Sequence, residues 1–151
     1  MANTEFVYEI YVLAAPRQIW DALIKAELTK KYWGHVNVSD WKPGATWEHR
    51  DADAPGELKL VGRVIEFTPP RRLVLTWASP ADAADPRTHS RVTIGLEPIG
   101  DMVRLKITHT GLEQGSEMHT AIMEGWPRVL SSLKSLLETG KPLPTWAKAT
   151  R

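Results

Sequence analysis

The spacing of apolar residues near the C-terminus predicts one long amphipathic helix from Ser116 to Glu138. Apolar side chains recur there at steps of three and four residues, which is the period of a helix with one buried face. Ser116 is a suitable N-cap, and Gly140, with Pro142 and Pro144 beyond it, ends the helix. The apolar positions are Met118, Ile122, Trp126, Val129, Leu133 and Leu136, widened by Leu130 and Leu137.

A proline lies inside this predicted helix. Pro127 has no N–H to donate to the carbonyl of Met123, and an interior proline typically costs about 3 kcal/mol. Because the apolar stripe continues past it, we expect one helix with a bend between Met123 and Leu130, rather than two helices. Two interpretations of the bend stay open. It fits the helix to a curved sheet, or it lets the freed carbonyl and the Trp126 indole line a cavity.

Alternation of apolar and polar residues predicts seven strands before that helix. They cover residues 5–13, 35–41, 45–50, 58–67, 71–78, 90–97 and 102–110. The last strand has the clearest period of two, with His109 at the far end of its inward series and Gly111 ending it. The inward residues are Val103, Leu105 and Ile107, and the outward residues are Arg104, Lys106 and Thr108.

Two short helices are expected between the first and second strands. Pro16 suits the first turn of one helix, in which Ile19, Trp20 and Leu23 share a face. Thr29 is a candidate cap for the other, Lys30 to Trp33, which Gly34 ends. The many hairpin-like connections favour an antiparallel sheet, so the chain is predicted to be an α+β domain with one long helix against a curved sheet.

Length and composition are those of a soluble protein with one domain, residues 1–151. The chain is 42% hydrophobic and 25% charged, with 19 basic and 18 acidic residues and a net charge of +1. This balance argues against nucleic acid or a membrane as a partner. Residues 1–9 do not resemble a signal peptide, and no apolar run approaches the ~20 residues of a membrane span. A cytoplasmic location is therefore expected.

The residue inventory offers few catalytic groups. The absence of cysteine excludes disulfides, thiolate metal sites and cysteine nucleophiles. The five histidines include no metal-binding pair at helical or strand spacing, and there is no serine-nucleophile elbow or phosphate-binding glycine loop. We therefore expect no metal, no cofactor and no catalytic residues, and an enzyme is not favoured. His109 is either a satisfied histidine of the core or the polar group at a cavity mouth.

Six stretches, taken together, resemble the branch of the START-like, or SRPBCC, superfamily named after the activator of heat-shock protein 90 ATPase. The matching segments follow the family's order over nearly the whole chain. They are AAPRQIWDAL (14–23), LTKKYWG (28–34), WKPGATW (41–47), GRVIEFTPPRRLVLTW (62–77), ITHTGL (107–112) and GWPRVLSSLKSLLETG (125–140). The resemblance implies a helix-grip (START/Bet v-like) fold, in which a seven-stranded antiparallel sheet wraps around the C-terminal helix.

In relatives of this kind an apolar cavity between sheet and helix often holds a lipid, a polyketide or a small aromatic molecule. Seven tryptophans supply bulky walls here, although each also suits a packed core. The leading expectation is thus a small-molecule binding module. Its expected ligand-binding residues are Trp33, Trp47, Trp77, Met118, Ile122 and Trp126, with His109 as the polar group.

Two other functions remain open. The family name suggests a co-chaperone-like regulator of heat-shock protein 90 ATPase. Eukaryotic activators of that type use an additional N-terminal domain, whereas this chain begins at its first predicted strand. A cavity enzyme, such as a cyclase or hydrolase, would use His109 as proton carrier. Ligand identity and oligomeric state are not predicted.

Overall fold

The computed structural model describes residues 3–52 and 57–144 of the chain. Its helices and strands are, in order, β1 (Asn3–Val12), α1 (Pro16–Ile24), α2 (Ala26–Tyr32), β2 (His35–Ser39), β3 (Thr46–Asp51), β4 (Leu58–Thr68), β5 (Arg72–Trp77), β6 (Ser90–Ile99), β7 (Met102–Glu113) and α3 (Glu117–Thr139). Two single 3₁₀ turns, Pro80–Asp82 and Pro86–Thr88, lie in the β5–β6 connection. Residues 53–56, between β3 and β4, and Trp146 lie outside the described residues.

The seven strands form one sheet in the order β1-β7-β6-β5-β4-β3-β2, and every neighbouring pair is antiparallel. This order follows from hairpins between successive strands, with β1 returning to pair with β7. One cluster of buried residues joins the inner face of the sheet to α1 and α3. The predicted α+β helix-grip fold is confirmed.

The alternation in the last strand is confirmed by burial. Val103, Leu105 and Ile107 of β7 are completely buried in the cluster that contains Leu130 and Leu133 of α3. Their neighbours Arg104, Lys106 and Thr108 are half-buried or exposed on the other face. Because successive side chains of a strand point to opposite faces, this register fixes which side of the whole sheet meets the helix.

The long helix has the ends that its sequence predicts. The Ser116 hydroxyl accepts a hydrogen bond from the His119 N–H at 3.1 Å, and Gly140 closes the helix in the left-handed region with φ 84°. The helix continues through Pro127 without a break, which confirms one helix rather than two. The expected bend between Met123 and Leu130 stays a prediction.

Most predicted ends lie within two residues of the observed ones, and two larger differences have a visible cause. Helix α2 begins at Ala26, not after Thr29, and the Thr29 hydroxyl donates to the Ala26 carbonyl at 3.3 Å from inside the helix. A threonine can satisfy its hydroxyl in this way as well as by capping. Strand β7 also continues past Gly111 to Glu113. The pairing with β1 shifts between Thr4 and Glu5, so Gly111, with φ 78°, lies at a bulge rather than at the strand end.

Side chains of α3 also hold the first strand. Lys134 Nζ donates to the Tyr11 carbonyl at 2.8 Å, and the Leu13 N–H donates to a Glu138 carboxylate oxygen at 2.7 Å. Lys134 and Glu138 pair with each other at 2.6 Å, one helical turn apart.

Among the described residues, no helix is both long and apolar enough to cross a membrane.

Candidate functional site

A cavity of about 390 Å³ lies between α3 and the β2–β5 part of the sheet. Lys59 of β4 and Ala121 of α3 line it and are both exposed, so the cavity reaches solvent at these two residues. Most of the lining is apolar, as in typical small-molecule sites. The lining residues are Trp33, His35, His49, Lys59, Leu60, Trp77, Met118, Ala121, Ile122, Gly125, Trp126 and Val129.

Three tryptophans from different elements form the aromatic wall. The ring of Trp126 on α3 lies 5.6 Å from that of Trp33, which follows α2, and 5.5 Å from that of Trp77 on β5. These tilted contacts are favourable for aromatic pairs. The indole N–H of Trp77 is buried, and no described residue accepts a hydrogen bond from it. A buried donor without a partner is costly, so an acceptor atom placed beside it would be strongly favoured.

His49 is the buried base of the cavity. It is 2% exposed, and its Nδ1 lies 2.7 Å from Oδ1 of Asn37 on the neighbouring strand. The Asn37 amide nitrogen donates to the Leu23 carbonyl at 3.0 Å, so the Asn37 oxygen must face the histidine. The Nδ1 of neutral His49 therefore carries the proton, and Nε2 has the lone pair. Burial, with a smaller effect of nearby His35, lowers the pKa of His49 to about 3.

Two further bases, His35 and Lys59, line the same cavity. The ring of His35 on β2 is centred 4.6 Å from that of His49. Lys59 lies at a shift in strand pairing, because His49 pairs with Leu60 while Arg50 pairs with Leu58. Such bulges redirect side chains and are common beside functional sites. Lys59 Nζ also donates to Glu57 at 2.7 Å on the exposed side.

His109 lies behind the aromatic wall rather than in it. The Trp126 indole N–H donates to its Nδ1 at 3.2 Å, so the proton is on Nε2, which donates to the Ser90 hydroxyl at 2.8 Å. Ser90 in turn donates to the Trp77 carbonyl at 3.2 Å. Burial lowers the pKa of His109 to about 4. Both ring nitrogens are engaged, so neutral His109 has no lone pair for a ligand and serves to position Trp126.

A second hollow of about 400 Å³ lies between the β5–β6 connection and the start of α3. Several of its polar side chains are already hydrogen-bonded or paired. Asp82 accepts from Ser79 at 3.1 Å, Arg87 pairs with Asp85 at 3.0 Å, and Ser90 belongs to the His109 chain of hydrogen bonds. The cavity under α3, with its apolar walls and clustered bases, is therefore the better candidate site.

No group of three metal-binding side chains occurs in residues 3–52 and 57–144.

Comparison with known proteins identifies the family. The profile of the family described as "Activator of Hsp90 ATPase homolog 1-like protein" matches residues 13–138. The chain belongs to this family. Comparison with curated proteins found no match. The family match confirms the resemblance expected from the six sequence stretches, and it covers every element except β1 and the last residue of α3.

Solved structures of similar fold include three that cover most of the chain. CalU16 from Micromonospora echinospora shares 20% identity with a TM-score of 0.72, over 93% of this chain and 77% of its own. The Aha1 dimer from Colwellia psychrerythraea shares 22% identity with a TM-score of 0.73, over 93% and 99%. MLL2253 from Mesorhizobium loti shares 22% identity with a TM-score of 0.74, over 89% and 97%. At these identities the likeness shows a shared fold.

In this member of the Activator of Hsp90 ATPase homolog 1-like family, five of the seven expected ligand-binding residues line one cavity. They are Trp33, Trp77, Met118, Ile122 and Trp126. Trp47 and His109 do not. Trp47 is buried behind the wall, with its indole N–H donating to the Thr76 carbonyl at 2.8 Å. The inward series of a strand fills the core as well as the cavity, and alternation alone does not separate the two.

The bases of the cavity were not predicted. His49 lies two residues from Trp47 on a predicted strand, so period-two alternation already places both on one face. That signal could have identified His49 as an inward histidine. His35 and Lys59 gave no such signal, because their places depend on strand pairing and on the shift at Lys59.

Proposed function

We propose that this chain binds a small, largely apolar molecule in the cavity under α3. The observation that carries the proposal is a hollow of about 390 Å³ with aromatic and aliphatic walls and few polar groups. This volume is near the lower end of the range for small-molecule sites. It suits a fused aromatic compound or a medium-length hydrocarbon chain better than a whole phospholipid.

The buried Trp77 N–H offers a direct measurement of whether the cavity is occupied. We expect its ¹H–¹⁵N indole resonance to shift when a ligand from a panel of fatty acids, flavonoids and aromatic polyketides enters. The Trp47 indole is already bonded to Thr76, so its resonance should move much less. Shifts confined to residues of the outer face of the sheet would contradict cavity binding.

Two adjacent positions of α3 provide a matched pair of variants. Ala121 is exposed and lines the cavity, whereas Thr120 is exposed and does not. Ala121→Trp should block the entrance and weaken binding at least tenfold, while Thr120→Trp should bind like the wild type. Isothermal titration calorimetry with the best ligand of the panel measures both. Equal binding by the two variants would place the ligand elsewhere.

Regulation of a heat-shock protein 90 ATPase is the second candidate, and the family match is the observation that favours it. ATP turnover by a heat-shock protein 90 preparation, measured with and without this chain, tests it directly. An increase that persists in Ala121→Trp would separate this activity from the cavity. The third candidate, acid–base catalysis in the cavity, is better served by His49 than by His109, since only the former lines it with a lone pair on Nε2.

A further inference from the structure

The polar side chains that line the cavity share one chemical character. Among its described lining residues, His35, His49 and Lys59 are all bases, and none is an acid. They come from three neighbouring strands, β2, β3 and β4, and so belong to the sheet side of the hollow. The α3 side of the cavity contributes no titratable side chain. A ligand oriented by this wall would place an acidic group against these strands and its apolar body against α3.

We infer that the preferred occupant is an apolar carboxylic acid, whose carboxyl group lies among His35, His49 and Lys59. This inference rests on the proposed function and names the class of ligand. A hydrocarbon or aromatic body matches Trp126, Ile122 and the rest of the apolar wall. A carboxyl oxygen can accept from the Lys59 ammonium group, and from the Trp77 indole N–H if the group extends that far.

The hydrogen bond to Asn37 makes His49 suited to an acid. With the proton of neutral His49 fixed on Nδ1, its Nε2 can only accept. A neutral carboxyl group donates its O–H to that nitrogen. A carboxylate instead binds together with a proton from solution, which is then held between the carboxylate oxygen and Nε2. In either case the cavity takes up one carboxylate together with one proton, so its net charge does not change.

Two acidic side chains lie on or beside the neighbouring strands, but they are not part of the cavity lining. Asp51 lies opposite His35 in the β2–β3 pairing, and Glu57 is bonded to Lys59 Nζ. Neither acid lines the cavity. The ammonium group of Lys59, already paired and partly exposed, attracts an anion to the mouth. The histidine pair, being more enclosed, provides the selective contact.

The experiment compares ligands that differ only in their acidic group. The probes are 2-naphthoic acid with 2-naphthamide, and decanoic acid with 1-decanol. We expect each acid to bind about tenfold or more tightly than its neutral partner. A hydrogen bond to a charged group is stronger than one between neutral groups, and the difference in free energy corresponds to about a tenfold change in affinity. Calorimetry at pH 7 in phosphate and in Tris buffer, which differ in ionisation enthalpy, should show uptake of about one proton per acid bound.

His49→Gln and Lys59→Gln separate the contributions of the bases. Glutamine at 49 keeps an N–H for Asn37 but cannot take up a proton, so the preference for acids and the proton uptake should both be lost. Lys59→Gln should weaken acids severalfold and retain the proton uptake. Should His49→Gln fail to fold, the acid–neutral comparison and the proton count on the wild type still decide.

Failure of the carboxylate inference and failure of cavity binding itself would give different results. Neutral probes that bind as tightly as the acids, with a shift of the Trp77 indole resonance, would overturn the carboxylate inference and leave the cavity binder intact. An acid preference without proton uptake would also overturn it, because His49 would then have no part in recognition. Absence of any Trp77 shift with all four probes, together with equal behaviour of Ala121→Trp and Thr120→Trp, would overturn the proposed function itself.

Discussion

At the scale of single residues, one neighbour decides what each buried histidine can do. Asn37 holds the proton of His49 on Nδ1, whereas the Trp126 indole makes Nδ1 of His109 the acceptor. The first arrangement leaves a nitrogen lone pair in the cavity residue, and the second leaves none. Two histidines of similar burial therefore have different chemistry, and neither state can be derived from composition or spacing.

Gly62, packed against Trp47, is a second residue whose neighbours decide its role. A Cβ at Gly62 would overlap the Thr76 carbonyl and the Trp47 indole nitrogen, which are bonded to each other. Gly62→Ala should therefore break that hydrogen bond and lower the free energy of unfolding by about 1–3 kcal/mol. Urea denaturation measures the loss, and the Trp47 indole resonance reports the broken bond.

Gly95 provides the control for this change, because a Cβ there would meet no atom within 4 Å. Gly95→Ala lies in the same sheet and should alter stability by less than about 1 kcal/mol. Equal losses from the two substitutions would show that the crowding at Gly62 does not matter.

At the scale of helices and strands, period and end signals predicted most of what is observed. The apolar stripe of α3 and the alternation of β7 gave the correct faces, since burial of one face dominates long elements. Local exceptions were missed. Thr29 resembles a cap but bonds within α2, and Gly111 resembles a strand end but lies at a bulge. Tertiary pairing decided both, and Lys59 in the cavity wall has its place for the same reason.

The central position of β7 carries the prediction at this scale. Leu105 is completely buried between the sheet and α3. Leu105→Ala should lower the free energy of unfolding by about 2–5 kcal/mol, because the lost contacts leave a void that neighbours fill only in part. Lys106→Ala, one residue along on the exposed face, is the matched control and should cost far less. Chemical denaturation of both variants gives the comparison.

At the scale of the whole molecule, the two buried histidines couple stability to pH. Burial lowers the pKa values of His49 to about 3 and of His109 to about 4, below the ordinary value near 6.5 that they regain on unfolding. Between those limits the unfolded chain binds more protons than the folded one. Acid therefore favours unfolding, and stability rises with pH up to about 6.5.

We expect each histidine to add up to about 1.4 kcal/mol per pH unit to this dependence. Urea unfolding measured at intervals from pH 7 to pH 4.5 should show the steady loss. A saturating apolar acid should reduce the loss, because His49 then keeps a proton in the folded state as well. A free energy of unfolding that is level from pH 7 to pH 4.5 would refute the proposed neutral state of the histidines.

The contacts of Lys134 and Glu138 have a consequence for assembly. The sheet is open, and β1 is one of its two outer strands, so it could template pairing with a strand of another molecule. Near its end, the Tyr11 carbonyl and the Leu13 N–H are already occupied by side chains of α3. An incoming strand would have to displace a lysine–glutamate pair before it could continue the sheet there. We therefore expect these contacts of α3 to disfavour edge-to-edge association through this end of β1.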